Sequence, residues 1–503
     1  MNNTTKATAA ADKIKLTESQ DRILKQMLAF IDDEDHRVFI LKGYAGTGKT
    51  TLMRFFIKEL AKRERQFQLL ASTGRAAKVL SDIAVKNRFD ENQMGNARTI
   101  HSLIYNYSGF NREISEEEMS SGNAKGQLLI DFIPTSVPQN DEDTVYIIDE
   151  ASMIGDKEAN EYNIIQAKFG TGRLLTELME YDKRDGSKYV FVGDPCQLPP
   201  VGDIVSPALD ENHFEPPALT GTLTEIMRQD NTNSIVAISK RVRDMADTAP
   251  ENESFYPKGA KAVFRKLPFG TSKNVVMYPT IEKMVEGYVA NIKSSGYTSC
   301  TLICRYNKAN SDMARKVRSL LGHFSAMPEA GDLLLVTQNN SISSLVNGDL
   351  VEVTYANPNI QRMAGLNFMD VQVREIASGR EFRQLMILEP LVSDMTNLSP
   401  TQQTNLFLDF FIRMSKHGIR QKSDAFVMAL EKDPYLNALR CNYGYSLTCH
   451  KAQGGEWKDV YLNFPRNIGC NPTKQNYRWV YTAITRASEY LHIVYDWVYI
   501  DRG

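Results

Sequence analysis

Gly43-Tyr44-Ala45-Gly46-Thr47-Gly48-Lys49-Thr50 lies between a short apolar run, Val38 to Leu41, and a helical pattern from Leu52 to Leu60. These residues match G-x-x-x-x-G-K-[ST] without a mismatch, in the strand-loop-helix setting that the motif requires. The glycines let backbone N–H groups close around phosphate oxygens, and the helix N-terminus adds its dipole. Lys49 then reaches the β and γ phosphates of a nucleoside triphosphate and the Thr50 hydroxyl ligates Mg²⁺. Gly43, Ala45, Gly46, Thr47, Gly48 and Thr51 complete the expected pocket.

Hydrolysis also needs a carboxylate for the metal and a base for water, both at the end of a neighbouring strand. Val145-Tyr146-Ile147-Ile148-Asp149-Glu150 supplies the pair. Asp149 is expected to hold Mg²⁺ and Glu150 to polarise the attacking water. Before the loop, Thr17 caps an amphipathic run carrying Ile23, Leu24, Met27, Leu28 and Ile31, which predicts a helix. After it, apolar runs at Phe67 to Ala71, Val145 to Ile148 and Tyr189 to Val192 alternate with helical segments. That alternation predicts a parallel, doubly wound sheet.

The pattern breaks between Tyr107 and Asp143, where an acidic cluster and Ser, Gly, Asn and Gln residues indicate an insertion. A second α/β pattern starts after about Pro217, with strands at Asn274 to Met277 and Thr301 to Cys304. It gives way near Asp332 to β-rich sequence, Leu333 to Thr337, Leu350 to Tyr355 and Phe368 to Val373, with Asn347-Gly348-Asp349 as a turn. A helical stretch then runs from Leu391 to about Leu439.

The 503 residues are too many for one core, so three to four domains or subdomains are expected. No apolar run approaches the roughly 20 residues of a membrane helix, so no membrane partner is expected. With 59 Lys and Arg against 61 Asp and Glu, nucleic acid would have to bind in a local basic groove. Six scattered cysteines fit a reducing compartment, and Cys300 and Cys304 are expected to be buried strand residues, not a metal pair. Met1 to Ala11 has no apolar core, so it is expected to be a loose tail of a cytoplasmic protein, not a secretory signal.

Taken in order from Leu16 to Val494, the motifs resemble those of superfamily 1 helicases of the RecD and Dda type, with a UvrD-like C-terminal helicase domain. The resemblance implies an α/β fold of two RecA-like P-loop domains, with ATP between them and single-stranded DNA across their tops. It implies a flexible tail at 1–12, a first domain at 13–106 and 144–216 with a pin-type insertion at 107–143, and a second at 217–330 and 441–503. The second would carry an SH3-like and helical insertion at 331–440. Leu16-Thr17-Glu18-Ser19-Gln20 resembles the adenine-reading Q-motif, with Gln20 at the base edge. Gly193 to Pro200 resembles motif III, with Gln197 sensing the γ-phosphate and Asp194 in support.

Arg228, in Leu223 to Gln229, and Arg486, in Tyr481-Thr482-Ala483-Ile484-Thr485-Arg486-Ala487, resemble the arginines that reach across the cleft. Such guanidinium groups would stabilise the transition state and make hydrolysis depend on closure. The resemblance puts Thr73 and Lys78 of motif Ia, Thr99 and His101 of motif Ib, and Thr448 and His450 of motif V against DNA, while Gln453 and Gly454 approach ATP. Phe110 and Phe132 of the insertion either stack on a base or pack. The implied activity is a monomeric, Mg-ATP-driven helicase that moves 5′ to 3′ on single-stranded DNA and opens duplex or forked DNA. A translocase that displaces proteins without unwinding, an ATP-gated nucleic-acid clamp and an RNA substrate are the alternatives.

Overall fold

The computed structural model describes residues 15–86, 94–135, 137–138, 140, 143–159, 166–184, 186–225, 227, 233–251, 267, 269–270, 272–393, 397–465 and 473–496. The strands of the first half are β1 (Val38–Gly43), β2 (Phe67–Ala71), β3 (Met94–Thr99), β4 (Tyr105–Phe110), β5 (Ile130–Pro134), β6 (Val145–Asp149), β7 (Ala167–Phe169), β8 (Lys188–Gly193) and β9 (Leu219–Leu223). Six of them form one sheet in the order β3-β2-β6-β8-β1-β9, with every pairing parallel. Helices α1 (Glu18–Ile31), α2 (Lys49–Lys62) and α3 (Gly74–Lys86) cover one face. Their apolar stripes, including Ile23, Met27, Leu52, Phe56 and Leu80, close on Phe39, Leu69 and Ile147 of the sheet.

The domain boundary expected at 217 needs correction. The second α/β pattern is expected to start after Pro217, yet β9 follows almost at once and pairs with β1 from Phe39↔Leu219 to Gly43↔Leu223. The first sheet therefore runs to Leu223, and as an edge strand β9 carries no long apolar run that would mark it in the sequence.

The second half contributes β10 (Val275–Tyr278), β11 (Cys300–Cys304), β12 (Leu333–Val336), β13 (Leu350–Met363), β14 (Leu366–Glu375), β15 (Glu381–Ile387), β16 (Leu439–Tyr443), β17 (Leu447–Thr448), β18 (Trp457–Leu462) and β19 (Ala487–Val494). A second parallel sheet has the order β10-β19-β18-β11-β17. It packs on α4 (Ser234–Asp247) and on α7 (Lys474–Ile484), with Ile238, Val242, Val480 and Ile484 in the core between them. These two parallel sheets flanked by helices are the two RecA-like domains. Cys300 and Cys304 are free and buried in β11.

Strands β12 to β16 close into a barrel, and between β15 and β16 the chain makes α5 (Pro400–Lys416) and α6 (Asp424–Lys432). The 107–143 segment supplies β5 and all of β4 but its first two residues, and the sheet they build takes its third strand, β7, from 167–169. Phe110 packs, with ring centroids 5.0 Å from Phe407 and 4.8 Å from Phe411. Ile114 exchanges backbone hydrogen bonds with the Gln421 amide, and Glu113 pairs with Lys422. The insertion of the first domain is thus buttressed by the helices of the second.

Candidate functional site

The phosphate loop lies between β1 and α2, at the C-terminal edge of the first sheet. Gly46 and Gly48 hold φ of +77° and +82°, a region that L side chains avoid. At Gly43 a Cβ would lie 2.7 Å from Lys49 Cγ, so the loop closes only with glycine there. Lys49 Nζ donates to the carbonyls of Gly43 (2.6 Å) and Tyr44 (3.2 Å), and Thr47 Oγ1 donates to Tyr44 O (2.8 Å). Thr50 and Thr51 follow in the first turn of α2.

Gln20, which the resemblance puts at the adenine edge, lies beside this loop, buried and with its amide committed. Oε1 accepts from Thr17 N (3.1 Å) in a capping box, and Nε2 donates to Thr47 O (3.2 Å). In this arrangement Gln20 pins the start of α1 to the phosphate loop.

Asp149 ends β6, two strands from β1. Burial, and then the neighbouring Glu150 charge, push its carboxyl up to about 7, while Lys49 pulls the other way. A buried carboxylate that resists ionisation is one that a divalent cation would relieve. Glu150 has φ +52°, an uncommon angle for a non-glycine residue, and its N–H donates to Asp149 Oδ1 (2.9 Å). Gly454, from the second domain, faces it: a Cβ there would lie 3.9 Å from Glu150 Oε1.

Across the cleft the second domain grips the loops of the first. Gln453 Nε2 donates to Leu198 O (3.2 Å) and Leu198 N donates to Thr482 Oγ1 (3.0 Å), while in the connection after β9 Met227 N donates to Gly46 O (2.8 Å). The Oε1 atoms of Gln197 and Gln453 are buried with no hydrogen-bond partner among the described residues. Arg486 is buried inside its own domain: Nε donates to Thr482 O (3.0 Å), and its terminal nitrogens donate to Gly455 O (3.2 Å) and Thr485 Oγ1 (3.1 Å). A finger role therefore requires it to leave these partners. Arg228 lies outside the described residues. Two side chains that the sequence did not single out also reach the phosphate loop: Arg243 lies 3.8 Å from the centroid of the Tyr44 ring, and the Tyr481 hydroxyl accepts from Ala45 N (3.0 Å).

A cavity of about 420 Å³ runs between the two domains and the barrel, lined by Thr73, Thr99, His101 and His450 together with Phe169, Asn339 and Asn347. It brings together four of the six residues assigned to DNA. Thr73 and Thr99 accept from the backbone N–H of Ala76 and Ser102 at helix starts (3.2 Å each), which leaves each hydroxyl proton free to donate. His101 and His450 are both held below the usual imidazole range by burial, His450 further by Arg305, so both rings are neutral donors and acceptors. Phe169 meets His101 edge-on at 5.1 Å and stacks on Phe132 at 4.7 Å; its only sequence signal was an aromatic in a polar loop.

The other two residues stand elsewhere. Thr448 is buried at the end of β17 and does not line the cavity. Lys78 Nζ pairs with Asp349 and with Glu375 (3.0 Å) of the barrel, so it is a tie between domains and not a free cation over the groove.

Residues 15–254 match the family model described as an AAA domain, and residues 443–494 match the UvrD-like helicase C-terminal domain. An uncharacterised protein of Acanthamoeba polyphaga mimivirus is 22% identical over 94% of this chain and 98% of its own length. The RecD subunit of the RecBCD enzyme of Buchnera aphidicola is 24% identical over 93% of this chain and 72% of its own. An ATP-dependent DNA helicase Pif1 of Psychrobacter is 32% identical over 32% of this chain and 20% of its own. The first matched model takes in the phosphate loop and the Asp149-Glu150 pair, and the second takes in the Gln453-Gly454 turn and Arg486. The chain carries a UvrD-like helicase C-terminal domain and is similar to the RecD and Pif1 helicases of superfamily 1. It is an ATP-hydrolysing helicase.

Among solved structures, a Pif1 helicase from Bacteroides in complex with ADP-AlF3 and ssDNA is 15% identical, covering 98% of this helicase and 95% of that chain with a TM-score of 0.44. A structure of two coordinating Pif1 helicases at forked dsDNA is 16% identical over 97% and 94%, with a TM-score of 0.46. Among the described residues no helix of the helicase is long and apolar enough to cross a membrane.

Proposed function

We propose that the chain is an ATP-dependent DNA helicase that moves 5′ to 3′ on single-stranded DNA and unwinds duplex DNA as a monomer. The observation that carries this reading is the single stretch from His450 to Gly454. His450 and Gln453 line the interdomain cavity, Gln453 also holds the motif III backbone, and Gly454 faces the hydrolytic Glu150. Strand contact and nucleotide chemistry therefore share one rigid element, which is what a motor needs to convert closure into a step.

In the working cleft, Lys49 and the loop amides bind the phosphates, Glu150 takes the proton of the attacking water, and Gln197 orients on the γ-phosphate. Thr50 and Asp149 form a hard oxygen set suited to Mg²⁺, which would supply charge neutralisation at the β and γ oxygens. Gln20, now on Thr47 O, would turn to the base edge when a nucleotide binds. Arg486 enters the cleft on closure, and Arg228 would supply a second cation. Thr73, Thr99, His101 and His450 hold the strand, while Lys78 supports them through the barrel.

The buttressed insertion favours unwinding over bare translocation, because a wedge pressed by a duplex needs a rigid backing. Strand separation is measured on forked duplexes carrying a 5′ or a 3′ tail, beside ATPase assays with and without single-stranded DNA. Unwinding only from the 5′ tail is expected. No DNA stimulation rejects the motor; stimulation without unwinding selects the translocase; greater stimulation by RNA changes the substrate. Lys49→Ala is expected to abolish turnover, and Arg486→Ala to impair hydrolysis far more than ATP binding.

A further inference from the structure

The Tyr481 hydroxyl occupies a position that none of the assigned roles explains. It accepts from the Ala45 N–H of the phosphate loop (3.0 Å) and donates to Asp194 Oδ2 (2.8 Å), whose other oxygen accepts from Cys196 N (2.9 Å). Tyr481 is 2% exposed, so neither bond is exchanged with water. Burial, and then Asp194, raise its ionisation far above the usual phenol range, which keeps the proton on the oxygen as a donor.

The neighbours along α7 act on the same loop. Thr482 Oγ1 accepts from Leu198 N, and Arg478 donates to Ile204 O. Residues 478, 481 and 482 lie on one helix face at i, i+3 and i+4, so one rigid rod of the second domain holds both ends of the segment that carries Gln197. Arg486 leaves the same helix one turn further on, hydrogen-bonded to Thr482 O (3.0 Å). Any rotation of α7 that frees Arg486 moves Tyr481 as well, and with it the distance between Ala45 and the Asp194 to Gln197 loop.

We propose that Tyr481 is a positioning residue that sets the phosphate loop against the Gln197 loop and reports the pose of the second domain to both. The proposal rests on the motor reading above. Tyr481 touches no reacting atom; it acts through Ala45 and Asp194. Losing its hydroxyl leaves the binding walls in place but lets the two loops drift, which penalises the transition state more than the ground state.

The test is Tyr481→Phe, with kcat and KM for ATP measured with and without saturating single-stranded DNA, beside a thermal melt. The expected result is a loss of about tenfold in DNA-stimulated kcat, with KM for ATP changed by less than about twofold. Asp194→Asn is made in parallel and carries the same kcat-against-KM split if Tyr481→Phe does not fold. The double variant is expected to be no worse than the poorer single variant, because both remove one connection. Equal DNA stimulation in wild type and Tyr481→Phe overturns the proposal and leaves the motor reading intact. A loss that appears equally in KM and melting temperature overturns it in favour of simple packing. A wild-type enzyme without DNA stimulation rejects the motor reading and this inference together.

Discussion

Gly48 is the residue at which backbone and side-chain constraints meet most tightly. Its φ is +82°, and a Cβ would lie 2.5 Å from Gln20 Nε2, the atom that ties α1 to the loop. Gly48→Ala therefore costs about 1 kcal/mol for the left-handed angle and also displaces Gln20. The expected outcome is a fall of at least about tenfold in nucleotide affinity, measured by fluorescent-nucleotide titration, with the fold retained. Such a residue is legible in sequence because the loop is local: eight consecutive residues state both the geometry and the chemistry. His101 and His450 were legible only as members of motifs, and their electrostatics were not. Both are held below the usual imidazole range by burial, and a phosphate beside either ring would favour the charged form. Binding then takes up protons, so single-stranded DNA affinity is expected to rise as pH falls from about 7.5 to about 6. For folding the sign is opposite: the unfolded chain binds these protons more readily, so stability present above about pH 6.5 is lost below it. Anisotropy of a labelled oligonucleotide at fixed ionic strength checks the first claim. A flat profile, or one unchanged in His101→Gln/His450→Gln, removes phosphate from the imidazoles.

Elements of the two parallel sheets were readable because buried strands appear as unbroken apolar runs ending at polar residues. Val145 to Ile148 became β6 and Tyr189 to Val192 became β8 within a residue at each end. The edge elements were less legible. The half-exposed β9 follows two prolines and fell on the wrong side of the boundary expected at 217, and the three residues of β7 are too short to carry a period. The partner of the 107–143 insertion could not be read at all, since Phe110 and the rings of α5 and α6 are separated by some three hundred residues. That contact predicts a division of function. Phe110→Ala removes a ring from the Phe407, Phe411 and Phe426 cluster and is expected to destabilise by about 2 to 3 kcal/mol, chiefly at this junction. The wedge then loses its backing while the cleft keeps its residues. Duplex unwinding is expected to drop severalfold with DNA-stimulated ATPase within about twofold of wild type. Equal loss of both activities would mean that the cluster supports the whole motor.

At the scale of the molecule, the helix that begins with Gly74 ties the first domain to the barrel and to β18 of the second sheet. Gly74 approaches so closely that a Cβ would lie 2.7 Å from Val346 Cβ, Arg75 lies 5.1 Å over the Trp457 ring, and Lys78 joins Asp349 and Glu375. The barrel carboxylates are 8% and 4% exposed, whereas Lys78 is 35% exposed, so solvent screens the cation more than its partners. Glu375 keeps Arg380 when Lys78 is removed, while among the described residues Asp349 keeps the Val346 N–H and the longer-range charge of Arg75. Lys78→Met retains the stem and removes the charge, and after that screening it is expected to destabilise by about 1 to 2 kcal/mol. The decisive measurement is the salt dependence of single-stranded DNA binding. A lysine on a phosphate contributes about 0.7 to the slope of log affinity against log salt, and its removal would flatten the line by that amount. A lysine spent on two barrel carboxylates contributes nothing to that slope. Lys78→Met is therefore expected to leave the salt slope unchanged and to loosen the coupling between domains, read as a lower ratio of base pairs opened to ATP hydrolysed. A flattened slope would return Lys78 to the DNA groove and make the barrel contact a state that the strand displaces.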